Sequence, residues 1–373
     1  MFEWISDPHS LPFWIFIFSI IIGVIVVIFI SFLTQIKFVY PNAKFEAIGN
    51  PFINDKELSS IIESKNLTTF KETLNSLKDY NVVGEDTYSV QKSLDDNFLQ
   101  TVEMMRKDSS KKMNDFYDTY LEKIDTYLVK NELKKLMLEK TKEVDIENAI
   151  LPRTKEFLSK LKDTGKEDLP EILKSYGFEK ELIDAISEKT PDLLAIDVMI
   201  DTYIINKFKQ VKVPYKCDQA KQSFVKSMID IMNIKNILRA KQLGYDATTC
   251  KKLFLGDGRE IATWKLNEMA ELDHPPQVIS ALEGTSYFDV LKDAIEQYNK
   301  EKSVQVLENA LDGHFLKLAG DISIQNYLNL GPTIRFLVSK EFEIKNLKVI
   351  AKGIGESFLS ELIKPLLIVG AGQ

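Results

Sequence analysis

Val90-Gln-Lys-Ser-Leu94-Asp95-Asp-Asn-Phe98-Leu99 is the first of three statements of one phrase. The second is Ile196-Asp-Val-Met-Ile200-Asp201-Thr-Tyr-Ile204-Ile205, and the third is Leu307-Glu-Asn-Ala-Leu311-Asp312-Gly-His-Phe315-Leu316. Each places apolar residues at i, i+4 and i+8, one face of an α-helix, with an Asp directly after the middle one. The Asps lie 106 and 111 residues apart. A second mark follows each copy: Lys130-Asn131, Lys235-Asn236 and Lys345-Asn346, with the Asns 36, 35 and 34 residues after the Asps. Copies two and three match furthest, Ile234 to Lys241 against Ile344 to Lys352, while Lys65-Asn66 is a similar pair out of register. An apolar stripe alone is what any amphipathic core helix shows. Three stripes with the same downstream mark predict three helical subdomains in pseudo-threefold arrangement.

Composition agrees. Gly and Pro number 16 and 12 in 373 residues, period-two alternation is hard to find, and the chain reads as all-α. Net charge is −7, and about −5 once Glu3 and Asp7 are set aside, which argues against a nucleic-acid-binding body. Cys217 and Cys250 stand 33 residues apart in no metal-ligand spacing and read as buried thiols in a reducing compartment.

Leu11 to Leu33 is apolar but for Pro12, Ser19, Gly23 and Ser31, and these 23 residues reach roughly 35 Å as a helix. A cleaved signal peptide would want a basic start, a shorter apolar core and a small-residue cleavage site. The reading is a retained transmembrane helix over 12–33, after a short extracytoplasmic segment 1–11. Trp4, Phe13 and Trp14 mark one interface, Phe38 and Tyr40 the other. Lys37 and Lys44 follow the span and no Lys or Arg precedes it. The bias puts the N-terminus outside a cell membrane and the body on the cytoplasmic side.

The body divides into helical repeats at 38–150, 151–262 and 263–373. Gly49-Asn50-Pro51 is a turn, and Asn54 or Asp55 caps a short helix. From Met113 a 3.6-residue period through Tyr120, Tyr127 and Met137 predicts a long helix. Short helices are expected over 169–176 and 179–187, then a long one over 218–243 ending at Gly244. Gly256-Asp257-Gly258 reads as a loop, and His274-Pro275-Pro276 as a break.

Chemistry is sparse. Thr164-Gly165-Lys166-Glu167 lacks the upstream Gly and the Ser or Thr of a phosphate loop. Leu366 to Gly372 resembles the strand opening a dinucleotide site, but the sequence ends at Gln373. His9, His274 and His314 have no partner at metal-ligand spacing, and His314 reads as a helix-surface or subdomain-contact residue. No catalytic, cofactor-binding or metal residue is assigned, no cofactor is expected, and the residues point to a scaffold or adaptor, not an enzyme.

From about 38 to 369 the chain resembles the C subunit of the archaeal-type (A-type) and V-type rotary ATPases, whose eukaryotic counterpart is the d subunit. Three segments carry the resemblance: Ala43-Lys44-Phe45-Glu46-Ala47-Ile48, Asp230 to Lys241 around Asn233-Ile-Lys235, and Gly331-Pro332 with Lys340-Glu341-Phe-Glu343-Ile-Lys345-Asn346-Leu347-Lys348. Glu46 stands where the family pattern has an Arg, and the apolar start is unusual among relatives that begin near Tyr40. The resemblance implies an all-helical fold of three subdomains around a funnel-like centre. It implies a non-catalytic central-stalk rotor component between the membrane proteolipid ring and a shaft made of the D and F subunits. Such a part transmits torque for ion-driven ATP synthesis or ATP-driven ion pumping. A rotating adaptor can carry a span only in the hole of its ring. With 34–40 as a linker of at most about 25 Å, residues 12–33 are expected in the ring lumen among lipids. The other reading of these features is a membrane-tethered helical scaffold unrelated to rotary ATPases.

Overall fold

The computed structural model describes residues 8–49, 53–138, 144–162, 164–165, 168–188, 191–214 and 216–368. Among these the regular elements are all helical. Trp4, Asn50, Pro51, Lys166, Glu167, Gly370 and Gly372, singled out above, lie outside the described residues.

The first helix, α1, runs unbroken from Leu11 to Ile48. Ser10 caps its start by accepting from the Phe13 amide at 3.3 Å, and the Gly49 amide closes its end on the Phe45 carbonyl. Residues 34–40 are therefore helix, not an extended linker, and cover about 10 Å instead of 25. Helix propensity explains the difference: Gln35 to Tyr40 contain no Gly, and Pro41 removes one donor without breaking the rod. Side chains over 11–33 are almost all exposed, whereas Phe38, Pro41, Asn42 and Phe45 are buried against the body. The helix is long and apolar enough to cross a membrane.

Two short helices follow, α2 (Asp55–Ile62) and α3 (Leu67–Asn75). Asn54 caps α2 in a reciprocal box with Glu57, and Asn66 caps α3, which accounts for the out-of-register pair. A long pair comes next: α4 (Thr87–Asp108), a 3-10 turn (Lys111–Met113) and α5 (Asn114–Met137). The same order recurs. Short helices α6 (Pro152–Lys162), α7 (Leu169–Tyr176) and α8 (Lys180–Ile186) precede the long pair α9 (Leu193–Gln210) and α10 (Asp218–Gln242). Then α11 (Ala247–Lys251), α12 (Thr263–Ala270), α13 (Pro275–Ala281) and α14 (Ser286–Glu301) precede α15 (Val304–Gln325) and α16 (Gly331–Gly355). Helix α17 (Ser360–Ile363) and a 3-10 turn (Lys364–Leu366) end the described chain.

The six long helices close a ring. In order, α4 packs on α5, α5 on α9, α9 on α10, α10 on α15, α15 on α16, and α16 back on α4. The short helices before each pair lean on the second helix of the pair before it, cyclically: α3 on α16, α6 on α5, α12 and α13 on α10. All nine apolar phrase positions are buried: Val90, Leu94, Phe98; Ile196, Ile200, Ile204; Leu307, Leu311, Phe315.

Each ring helix also sends one aromatic inward. Phe98, Tyr120, Phe208, Phe224, Phe315 and Phe342 follow one another with centroids 5.6–6.5 Å apart, within the range of favourable ring contacts. Aromatic packing thus fills the ring over part of its length.

Candidate functional site

The Asp of each phrase and the Lys of each mark do meet, but across pairs instead of within one. Lys130 on α5 reaches Asp201 on α9 at 2.6 Å. Lys235 on α10 reaches Asp312 on α15 at 2.6 Å. Two seams of the ring are closed in this way, and each has a second rung one turn along. Lys134 pairs with Asp197 at 2.5 Å, and Arg239 forks onto both oxygens of Glu308 at 2.5 and 2.6 Å. The third seam, between α16 and α4, departs. Lys348, not Lys345, takes Asp95 at 2.6 Å, and the second rung is only a Gln91 amide on the Lys348 carbonyl at 3.1 Å.

Other correspondences follow the same period. Asp125 accepts the amides of Ile150 and Leu151, and Asp230 accepts those of Arg259, Glu260 and Ile261. Each carboxylate pins the chain that leaves its pair. Gly258 is where the backbone crosses closest: a Cβ there would lie 1.8 Å from an Asp230 oxygen. Asn236 donates to the Leu253 carbonyl and Asn346 makes two bonds with Ile368, but Asn131 is exposed.

Beyond the aromatic packing lies a pocket of about 100 Å³, and its lining is threefold by sequence position. Tyr127, Met232 and Phe342 form one tier, and Lys130, Lys235 and Lys345 another. Five of the six ring helices contribute to it. Glu341 stands at its wall, accepting from Tyr120 and Lys123 at 2.6 Å, with the Lys345 ammonium 3.0 Å away. Burial alone would push this carboxyl up. The Lys123 and Lys345 charges and the two hydrogen bonds outweigh it and bring Glu341 down to about 2. Burial, and then the Glu341 charge, pushes the Tyr120 hydroxyl well above its usual range. Lys345 lies 4.9 and 4.6 Å from the Tyr127 and Phe342 ring centroids. This cluster holds the Glu341 charge against two ammonium groups.

At the other end of the ring, α1 meets the connecting end of every pair. Asn42 donates to the carbonyls of Tyr327 and Asn329, between α15 and α16. Lys44 pairs with Asp108, where α4 ends. Lys216, between α9 and α10, reaches the Ser31 hydroxyl at 2.5 Å. Glu46 pairs with Arg335 at 2.6 Å, so this position makes a charge contact.

The remaining residues singled out by sequence take structural roles. Cys217 and Cys250 are free and buried, and burial pushes the Cys217 thiol up to about 12. His314 is buried instead of on a helix surface. It bonds the Ser286 hydroxyl at 2.9 Å, and burial lowers its pKa. Leu366 ends a 3-10 turn, not a strand. Among the described residues no group of three or more His, Cys, Asp or Glu could hold a metal ion.

A family model described as the ATP synthase (C/AC39) subunit matches residues 41–366. Three curated relatives are each named as the C subunit of an A-type ATP synthase. That of Methanobrevibacter smithii is 33% identical over 94% of this chain and 93% of its own length. That of Methanothermobacter thermautotrophicus is 31% identical over 93% and 92%. That of Methanosphaera stadtmanae is 27% identical over 97% and 96%. A match of 97% leaves about 11 of 373 residues (3%) outside it, so it takes in nearly all of 12–33.

Proposed function

This chain belongs to the ATP synthase (C/AC39) subunit family, and from that premise we propose that it is the non-catalytic coupling piece of an A-type rotary ATP synthase. Membership removes the unrelated membrane-tethered scaffold as a reading. The body stands between the membrane proteolipid ring and the central shaft of D and F subunits, and passes torque between ion flow and ATP synthesis or hydrolysis. Its three repeats run over 38–150, 151–262 and 263–373.

One observation carries this reading. A single helix touches the connecting ends of all three pairs at one end of the ring, and a pocket lined by the three equivalent lysines lies toward the other. A part that turns needs its attachments on its axis, and this arrangement supports an axial helix below and an axial seat above. Torque must cross without slip. Close packing of low compressibility, reinforced by ion pairs at every seam, suits that work.

Residues 12–33 then cross the membrane inside the ring lumen, with the N-terminus outside and the body cytoplasmic. The helix runs unbroken into the body without a slack linker, so the span turns with the body, and a position outside the ring would collide with the stator on each revolution.

Affinity purification of the full-length chain from its native membrane should bring down catalytic ATPase subunits. Recovery without them overturns the rotary reading. Within the purified complex, Gly23→Cys and Ser19→Cys should cross-link to lumen-facing proteolipid positions. Cross-links to the ring's outer rim or to the stator would exclude the lumen.

A further inference from the structure

We propose that the connecting ends of the helix ring form a lysine collar that binds the headgroups of anionic phospholipids around the exit of α1. The proposal rests on the reading that residues 12–33 cross a membrane; it does not depend on the proteolipid ring.

The chain as a whole is acidic, at −7. Its charge at this end is the opposite. Lys37 lies on α1, Lys107 at the end of α4, Lys111 and Lys112 in the 3-10 turn, Lys209 at the end of α9, and Lys212 in the connection that follows. All six are exposed, and among the described residues none has a carboxylate within ion-pair distance. The acids nearby are mostly taken. Asp108 is held by Lys44, Glu103 and Asp118 by Arg106, Glu46 by Arg335, and Asp218 faces Lys221 at 3.5 Å. Asp115 and Asp321 remain without an ion pair, so the balance stays strongly positive.

The position of this charge identifies its partner. Lys216, held at φ 68°, reaches Ser31 at the foot of the apolar run. That contact places the connection between α9 and α10 at the level where the helix leaves the body. Lys37 is six residues further, about 9 Å along the helix. The last turn of α15 exposes Ile324 at the same end, and the connection to α16 exposes Tyr327 and Leu328. Unpaired lysines interleaved with exposed apolar side chains, around a helix whose own apolar surface is bare, match a headgroup layer. Lysine stems lie along the apolar boundary while the ammonium meets phosphate. A helix exposed on all sides over 11–33 requires lipid around it, which puts headgroups within reach of the collar.

The test uses the full-length chain in nanodiscs of phosphatidylcholine alone or with roughly a third phosphatidylglycerol. Lysine acetylation is followed site by site by mass spectrometry. Acetylation at Lys107, Lys111, Lys112, Lys209 and Lys212 should slow by about threefold or more with the anionic lipid, and the protection should vanish near 1 M salt. Lys180 on α8 and Lys292 on α14 should not change. Equal rates in the two discs overturn the proposal. So does protection that appears only in the intact complex, because the collar then faces a protein. In native mass spectrometry from detergent, the wild type should retain phosphatidylglycerol over phosphatidylcholine. A variant with Lys107, Lys111, Lys112, Lys209 and Lys212 changed to Gln should lose about tenfold of that preference, and an unchanged preference in that variant counts against the collar. Neither readout involves ATPase subunits, so failure here and failure of the rotary reading are separate results.

Discussion

Glu341→Gln is the most informative single change to this body. The carboxylate is the one acceptor shared by Tyr120, Lys123 and Lys345, and the Glu341 and Lys123 side chains are 3% and 5% exposed. Removing the charge leaves Lys123 as a buried ammonium facing a neutral amide oxygen in place of the carboxylate, with the Tyr120 ring at 4.9 Å. Breaking a buried pair from one side costs about 3–5 kcal/mol. A body of roughly 340 residues has an unfolding entropy near 0.7 kcal/mol/K, at about 2.1 cal/mol/K per residue. The melting temperature of the full-length chain in detergent, followed by near-UV circular dichroism, should therefore fall by about 4–7 °C at pH 7. The pH dependence has a definite sign. The folded carboxyl sits at about 2 against an ordinary 4.5, so its stabilisation is complete above about 4.5 and is lost as pH falls towards 2. The gap between wild type and variant should narrow across that window by about 3 kcal/mol. Replacing both partners, Lys123→Met with Glu341→Met, should recover most of the loss, since apolar groups of similar volume remove the desolvation cost of both ions. A drop under about 1 °C, a gap that ignores pH, or a double variant as unstable as the single one would each refute this account of the axial charge cluster.

Three further outcomes can be measured. Lys235→Ala should destabilise the body by about 1–2 kcal/mol, and a double-mutant cycle with Asp312→Ala should show a coupling of about 1 kcal/mol or more, because both side chains are largely buried at the α10–α15 seam. Gly258→Ala should cost about 2–3 kcal/mol in thermal unfolding, and less when Asp230 is also Ala, since the new methyl falls on the Asp230 carboxylate. Asn42→Ala should speed amide exchange across 326–331 by about tenfold, because it removes both bonds holding the carbonyls of Tyr327 and Asn329 to α1.

The long helices were readable from the chain because burial imposes a period. Tyr117, Tyr120, Leu121 and Leu133, on the period read from Met113 onward, are buried on α5, whereas Tyr127 on the same period is exposed. The triplication was readable for the same reason, through positions that face the core three times. The partner of each phrase was not. Spacing along the chain set Asp95 against Asn131, whereas in space Lys130 meets Asp201 and Lys348 meets Asp95, the latter 253 residues away. Ion pairs between helices depend on which helices become neighbours, and periodicity within a helix carries no such information. One signal was present: Lys130 and Lys134 are spaced i, i+4, as are Asp197 and Asp201, and Lys235 with Arg239 repeats the spacing against Glu308 and Asp312. Two matched ladders of opposite charge indicate two helices lying side by side. The aromatic filling of the ring was less accessible still, because Phe98, Tyr120, Phe208, Phe224, Phe315 and Phe342 share no interval. The unbroken run of α1 through 34–40 was hidden because apolar residues give way to polar ones there, and a change of polarity is easily confused with a change of backbone structure.

That run bears on how a single chain closes a ring. Two seams, α5 to α9 and α10 to α15, join segments the chain already connects, and each has two rungs of opposite charge. The seam between α16 and α4 must bring the two ends of the chain together, and it has one ion-paired rung beside the neutral Gln91–Lys348 bond. Loop-closure entropy makes this the costliest junction to form. The tail of α1 packs on both α16 and α4 there. Its Lys44 is tied to Asp108 on the α4 side, and its Glu46 and Asn42 to Arg335 and the 327–329 carbonyls on the α16 side. The helix that leads to the apolar segment is therefore also tied to both sides of the seam that has a single ion-paired rung. Lys44→Ala with Glu46→Ala should raise amide exchange in α4 and α16 along this seam more than at α10–α15. Equal effects at the two seams would mean that α1 is only attached to the ring and takes no part in holding it shut.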